Sequence, residues 1–436
     1  MRIPTSVQHK ILMQPATSPD YRDLTSQENN PPPLLSEDEI IHWLALRMTP
    51  GLGTRKAGQL IEIFRTPQAI FRATRSELQG AGLAAAVAQS VASGCGFEDA
   101  ADQRQRMAAA NAEIIPIRTP LYSVLLREIF DPPPVLFARG RTELLHSPMV
   151  AIVGTRRPTP YGTAAATRIA RDLAYAGLTI SSGMARGIDT AAHRAALDAG
   201  SDAGTGGNTI AVFGCGVDQV YPAENRKLAD EIAEKGLIVS EFPMGAPPYP
   251  QNFPIRNRII SGMSLGVLVV EGGEYSGSAI TAKLAAEQGR EVFAIPGNIT
   301  SKLSWGPNLL IKQGAKLVQE WNDVVAELKP EVRRELVGAE RKRLNINENE
   351  ARETNGGGSA SIMNSVTQSI LKLLEPDASK GLDLLIEQVI ESVGESVGDQ
   401  IGGASPSEII AALFELELSG LVRQLPGKCY IRVWAD

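Results

Sequence analysis

From Met149 to Gly314 the chain alternates short apolar runs with helix-length, alanine-rich segments, and each apolar run breaks into a loop of small residues. The run Met149–Val153 opens into Gly154-Thr155-Arg156-Arg157. The same break recurs at Ile180-Ser181-Ser182-Gly183, Phe213-Gly214-Cys215-Gly216, Ser240-Glu241-Phe242-Pro243, Glu271-Gly272-Gly273 and Ile295-Pro296-Gly297. Strand alternating with helix predicts an α/β fold built on a Rossmann-like parallel sheet, with helices on both faces. Ligands of such sheets sit outside the carboxyl ends of the strands, where glycine lets a backbone approach closely. The loops therefore gather on one edge, and their glycines, arginines and hydroxyls have the chemistry of phosphate binding.

Bulk composition narrows the function classes. The formal charge of −6 argues against a protein that coats polyanions over its whole surface, while leaving room for a local basic groove. Cys95, Cys215 and Cys429 are isolated and odd in number. They form neither a metal-ligand nor a disulfide pattern, which points to a reducing, cytoplasmic setting. No apolar run is long enough to span a bilayer, so no membrane insertion is expected, and the N-terminus lacks the apolar core of a signal peptide. No metal site and no cofactor are expected.

Along the chain, residues 1–36, with Pro31-Pro32-Pro33, read as a disordered leader. Residues 37–118 read as a helical domain of helix-hairpin-helix or SAM-like type, followed by the sheet domain at 119–328. Its turn Pro50-Gly51-Leu52-Gly53 fits either a hairpin that approaches DNA phosphate or a plain packed helical pair. The segments Glu113–Arg118 and Pro134–Arg139 read as strands. Residues 329–364 turn charged and then glycine-rich, the composition of a linker. Residues 365–436 show three helical stripes and a terminal hairpin around Pro426-Gly427, a winged-helix-like unit. Glu408, Glu415 and Glu417 on its third helix would repel phosphate, so contact with protein is as well supported there as contact with DNA.

Candidate ligand groups cluster at the strand ends. Gly154, Thr155, Arg156 and Arg157 precede a helix whose free amides attract anions, and guanidinium adds bidentate contacts. Gly183 opens a second turn, in which Asp189 is expected to cap the next helix and His193 to serve structure. Tyr221-Pro222-Ala223-Glu224-Asn225 leads to Arg226 and Lys227. Arg256, Asn257 and Arg258 open an apolar helix, a costly arrangement unless something anionic meets them. Ser276, Gly277 and Ser278 start the helix that contains Thr281. Tyr161, Phe242, Tyr249 and Phe253 lie near the same edge and fit the core or rim better than a platform for bases.

Seven blocks in this order, IVGTRRPTPYG, SGMARGIDTAAH, AVFGCGVDQVYPAENRKL, SEFPMG, FPIRNRIISG, VVEGGEYSGSAITA and AIPGNI, resemble the signature of the DNA-processing protein A (DprA/Smf) family over about Pro120 to Val318. The resemblance implies a non-enzymatic mediator that binds single-stranded DNA in a basic pocket and protects incoming DNA. It further implies a homodimer that loads the RecA recombinase during natural transformation and recombination. By motif position the family's pocket arginine falls on Arg156, and the basic residue after the Asn of its Tyr-Pro-x-x-Asn block falls on Arg226, where lysine is frequent. The stretch Ser201–Asn208 departs from the usual spacing and is expected to lengthen a loop.

Two other classes compete. Rossmann-like phosphoribohydrolases resemble Pro-Gly-Gly-x-Gly-Thr-x-x-Glu at the Glu271 loop, but here Thr281 stands at the Glu position and no catalytic residue set is filled. A NAD-dependent oxidoreductase is disfavoured because the first loop reads Gly-Thr-Arg-Arg rather than Gly-x-Gly-x-x-Gly.

Overall fold

The computed structural model describes residues 35–202, 208–274, 276–334, 336, 366–367, 369–374, 380–396, 405–418, 421–425 and 429–432. The leader up to residue 34, the glycine run at 356–358, most of the Ser201–Asn208 stretch, Tyr275 and the Pro426-Gly427 turn lie outside these residues.

Among the described residues the main sheet comprises β1 (Glu113–Pro116), β2 (Val135–Gly140), β3 (Met149–Val153), β4 (Thr179–Ser182), β5 (Thr209–Val212), β6 (Leu237–Ser240), β7 (Gly266–Val269), β8 (Glu291–Ala294) and β9 (Lys316–Leu317). Their spatial order is β1-β2-β6-β5-β4-β3-β7-β8-β9. The run from β6 to β9 is parallel throughout. β1 and β2 add an antiparallel edge, with Phe137 opposite Ser240. β1 therefore pairs into the sheet although it precedes residue 119. β3, β4, β5, β6 and β7 are buried at every position, as a sheet covered on both faces requires.

Helix Pro160–Tyr175 shows how the covering helices form. Thr159 accepts a hydrogen bond from the Gly162 amide, and Pro160 occupies the first turn, where its missing N–H costs nothing. Ala166, Ile169, Ala170 and Leu173 recur at helical spacing and bury against Ile188, Ala192, Ala195 and Ala196 of helix Ile188–Asp202 and against Val150, Ile152 and Ile180 of the sheet. Alanine on both helices lets their axes approach, and the larger Ile169 and Leu173 each contribute about 1.5–3 kcal/mol by burial. Leu173→Ala would break this packing at a cost of roughly 2–5 kcal/mol.

The N-terminal helices pack around Leu44, Leu60, Ile61, Ile70, Leu78 and Met107. Gln103 fastens them to the loop after β6: its Nε2 donates to the Met244 carbonyl (3.3 Å) and its Oε1 accepts from the Met244 amide (2.8 Å). At the far end Val332 and Leu336, inside the segment expected to be linker, join the main core. The charged residues around these two apolar side chains hid their helical spacing.

The C-terminal unit has its own core of Ile370, Leu374, Leu385, Val389, Ile409, Leu413, Leu416 and Val422. Helices Leu382–Ser396 and Pro406–Leu418 pack beside a small sheet of β10 (Lys380–Gly381), β11 (Val422–Leu425) and β12 (Cys429–Arg432), in the order β10-β12-β11. That sheet and its helices make the winged-helix arrangement.

Candidate nucleic-acid interface

The strand order reverses beside β3: β4, β5 and β6 succeed one another on one side of it, while β7 and β8 lie on the other. A crevice opens at such a switch point, between the loops leaving the two central strands. Here it is a cleft of about 720 Å³ lined by Gly154, Thr155, Arg156 and Arg157 after β3, and by Ser276, Gly277 and Ser278 after β7. Tyr221, Pro248, Pro250 and Phe253 form another part of the wall.

The loop after β3 is held by the loop after β7. The Thr155 amide donates to the Glu271 carbonyl (2.7 Å), and the buried Glu271 carboxylate accepts from the Thr159 amide (2.9 Å) and hydroxyl (2.6 Å). With its backbone fixed, this loop leaves Arg156 and Arg157 exposed, and neither has a carboxylate partner among the described residues. The Ser276 hydroxyl accepts from the Ala279 amide and caps helix Gly277–Glu287. It lies 2.8 Å from the Ser278 hydroxyl, so two hydroxyls and a helix start face the cleft together.

Arg226 and Lys227 begin helix Arg226–Lys235, beyond the carboxyl end of β5, and both are exposed. They do not line the cleft itself. They stand at the same edge two strands from β3, a lateral offset of roughly 10 Å at the usual strand spacing. Asn225 fixes this helix start, its Nδ2 donating to the Met184 carbonyl and the Thr190 hydroxyl (both 2.9 Å). Arg186 and Glu224 pair at 2.6 Å across the same two loops.

Three expected phosphate ligands have partners inside the protein. Arg258 is buried: it pairs with Glu241 (2.6 Å) and Asp131 (3.2 Å) and points away from the cleft. Arg256 lines the cleft but is buried in its floor, where its Nη1 donates to the carbonyls of Gly183 (2.6 Å) and Val212. Arg258 thus meets the protein's own carboxylates, Glu241 and Asp131, whereas Arg256 meets neutral main-chain carbonyls and feels the charge of Asp189. Gly183 is also unavailable, because its amide donates to Asp189 Oδ2 (3.1 Å). Asn257 does line the cleft, its Nδ2 reaching the Gly277 carbonyl at 3.4 Å.

Asp189 was expected to cap the helix it sits in. It lies instead inside the first turn of helix Ile188–Asp202 and grips the preceding loop through the Gly183 and Ala185 amides. Burial raises its pKa, against the pull of Arg256 and these hydrogen bonds. Burial likewise lowers Arg256 to about 10 and lifts the Cys215 thiol to about 12. His193 is driven down to about 3 by burial and by Arg256. The floor therefore carries a buried positive charge beside a neutral imidazole and a neutral thiol.

The aromatic wall was not anticipated as a unit. Tyr221 and Phe253 lie 5.5 Å apart between centroids at 36°, and Arg156 stands over Phe253 at 5.7 Å. Tyr221 is 40% exposed. Sequence reasoning passed over it as part of the Tyr-Pro-x-x-Asn block, although the proline-rich run Ala246–Pro250 signals an apolar wall. Tyr161 is tied to the Pro296 carbonyl through its hydroxyl (2.8 Å) and belongs to the rim.

A family model described as DNA recombination-mediator protein A matches residues 113–329, and the DprA winged helix domain matches residues 401–428. The DNA processing protein DprA of Bacillus subtilis (strain 168) is 45% identical over 215 residues, which are 49% of this chain and 70% of that one. The chain belongs to the DNA-processing protein A (DprA/Smf) family. Protein Smf of Escherichia coli (strain K12) is 46% identical over 219 residues, 50% of this chain and 57% of that protein. The X-ray structure of DNA processing protein A from Streptococcus pneumoniae superposes with a TM-score of 0.59 at 35% identity, covering 66% of this chain and 98% of that one. The matched family region runs from the edge strand β1 to beyond β9, so it contains every loop of the cleft. Among the described residues no helix is long and apolar enough to cross a membrane.

Proposed function

We propose that this chain binds single-stranded DNA along the carboxyl edge of its sheet. In this reading the family's mediator role takes the form of protecting incoming strands and loading RecA during natural transformation and recombination. The observation that carries it is the coincidence of exposed Arg156 and Arg157, with no carboxylate partner among the described residues, with an aromatic wall and a hydroxyl-lined helix start in one open cleft. Guanidinium and hydroxyl donors serve the phosphates, and Tyr221 and Phe253 offer faces on which bases stack. That combination suits a flexible strand and carries little sequence information. Arg226 and Lys227 extend the positive track by roughly two strand spacings. A cleaving role is less well supported, since Asp189, the carboxylate among the described lining residues, is engaged with the Gly183 and Ala185 amides.

A homodimer accords with this reading, because two modest sites on one assembly gain from effective concentration along a long strand. Light scattering at micromolar concentration tests it, with a monomer as the contrary result. Titration of single- and double-stranded oligonucleotides over a range of salt tests the binding. With about four phosphates engaged, the logarithm of affinity should fall with log salt at a slope of about −3, and the single strand should bind more tightly. Equal affinity for duplex, or no salt dependence, contradicts it. For the RecA partnership, the rate of RecA filament growth on strands covered by single-strand-binding protein should rise as this protein is added.

A further inference from the structure

The helix that precedes the wing is the one that helix-turn-helix folds lay in the major groove, with its outward face toward the bases. Here that helix is Pro406–Leu418, and between those residues it carries Glu408, Glu415 and Glu417 but no lysine or arginine. Its inward face, Ile409, Ala412, Leu413 and Leu416, fills the unit's own core. Its outward face presents Ile410, Ala411 and Phe414, with Ile410 49% and Phe414 44% exposed. An acidic helix with an outward apolar stripe has nothing to offer a phosphate and much to offer a protein surface.

The same face already has an occupant. The Phe414 ring meets Trp321 edge-on, with centroids 5.8 Å apart at 61°. Trp321 opens the short helix Trp321–Val325 just after β9 and is itself half-buried against the main core. Trp321 thus packs on the sheet domain's core and also meets the winged helix.

We propose that the outward face of helix Pro406–Leu418 is a protein-docking face whose occupant is Trp321 of the same chain, so that the winged helix clasps the sheet domain instead of reading DNA. The two surfaces are alike in chemistry: a tryptophan meets a phenylalanine in a T-shaped pair, with isoleucine and alanine beside the phenylalanine on its helix face. This inference stands apart from strand binding in the cleft and does not depend on it.

The test is hydrogen exchange on the full chain carrying Phe414→Asp, with Phe414→Gln as a second, uncharged variant. Phe414 is half exposed and lies outside its own unit's core, so helix Leu382–Ser396 should keep its wild-type protection. Amides around Trp321–Val325, in the other domain, should exchange faster by about two- to tenfold, the worth of one aromatic pair. Affinity for single- and double-stranded oligonucleotides should stay at the wild-type value. Unchanged exchange around Trp321–Val325 in both variants would overturn the clasp. A marked loss of DNA affinity in Phe414→Gln would overturn it too, by showing the helix to be a DNA face.

Discussion

Arg256 occupies the space that a side chain at Gly183 would fill: its guanidinium packs on the Gly183 backbone and its Nη1 donates to the Gly183 carbonyl at 2.6 Å. The glycine that resembles part of a phosphate loop is therefore needed for an internal reason. It lets a buried arginine enter the cleft floor and bind the ends of β4 and β5 together.

Gly183→Ala should accordingly destabilise the sheet domain by about 1–3 kcal/mol, the usual cost of overpacking. Thermal melting of the variant reads this directly. A melting temperature equal to wild type would show that Arg256 is free to move aside.

Arg258 should behave as a structural residue. Arg258→Ala leaves Glu241 buried without its partner, which costs about 3–5 kcal/mol, whereas Arg258→Met with Glu241→Leu should recover much of that loss. Urea unfolding of the single and double variants makes the comparison. A single variant with wild-type stability and weakened DNA binding would return Arg258 to the interface.

These two arginines show where sequence reading stops. The alternation of strand and helix is a local signal, so the parallel sheet, its covering helices and the edge that bears the loops were all legible. The place of Arg156 at the cleft was legible as well, because it follows closely on a strand end. Arg258 was not, since Asp131 lies far upstream and Glu241 in the loop of another strand. Only the fold brings those carboxylates to it. The aromatic wall failed for the same reason: Tyr221 lies in the loop after β5 and Phe253 in the helix Asn252–Met263 after β6. β1 and the packed Val332 and Leu336 show that boundaries drawn from composition miss single apolar residues whose partners are distant.

His193 supplies a pH prediction. Thr209 donates its hydroxyl proton to the Ile180 carbonyl, so His193 Nδ1 is the donor to Thr209 Oγ1 (2.7 Å), and burial together with Arg256 keeps the ring neutral. Its folded pKa of about 3 lies below the ordinary value of 6.5. The unfolded chain therefore binds the extra proton, and stability present above pH 6.5 is lost as pH falls toward 3. One such group contributes a slope of about 1.4 kcal/mol per pH unit in that window. Urea unfolding at several pH values should show a shallower dependence in His193→Gln. Identical slopes would mean that His193 is not buried as a neutral ring.

Tyr221 should carry base stacking. Tyr221→Ala should weaken single-strand binding by about 1–3 kcal/mol without a comparable change in salt slope, because it removes a π-face and no charge. Fluorescence anisotropy at two salt concentrations separates the two effects. Unchanged affinity would move the stacking surface elsewhere.

The most direct measurement is the single-strand affinity of Arg156→Ala combined with Arg226→Ala, taken beside a thermal melt. Both arginines are exposed and outside the core, so the melt should match wild type. Charge-assisted hydrogen bonds contribute roughly 1.5–3 kcal/mol each, so the double variant should lose about 2–4 kcal/mol of strand binding and show a smaller salt slope. Wild-type affinity in a fully folded double variant would contradict the account and place the strand on another surface.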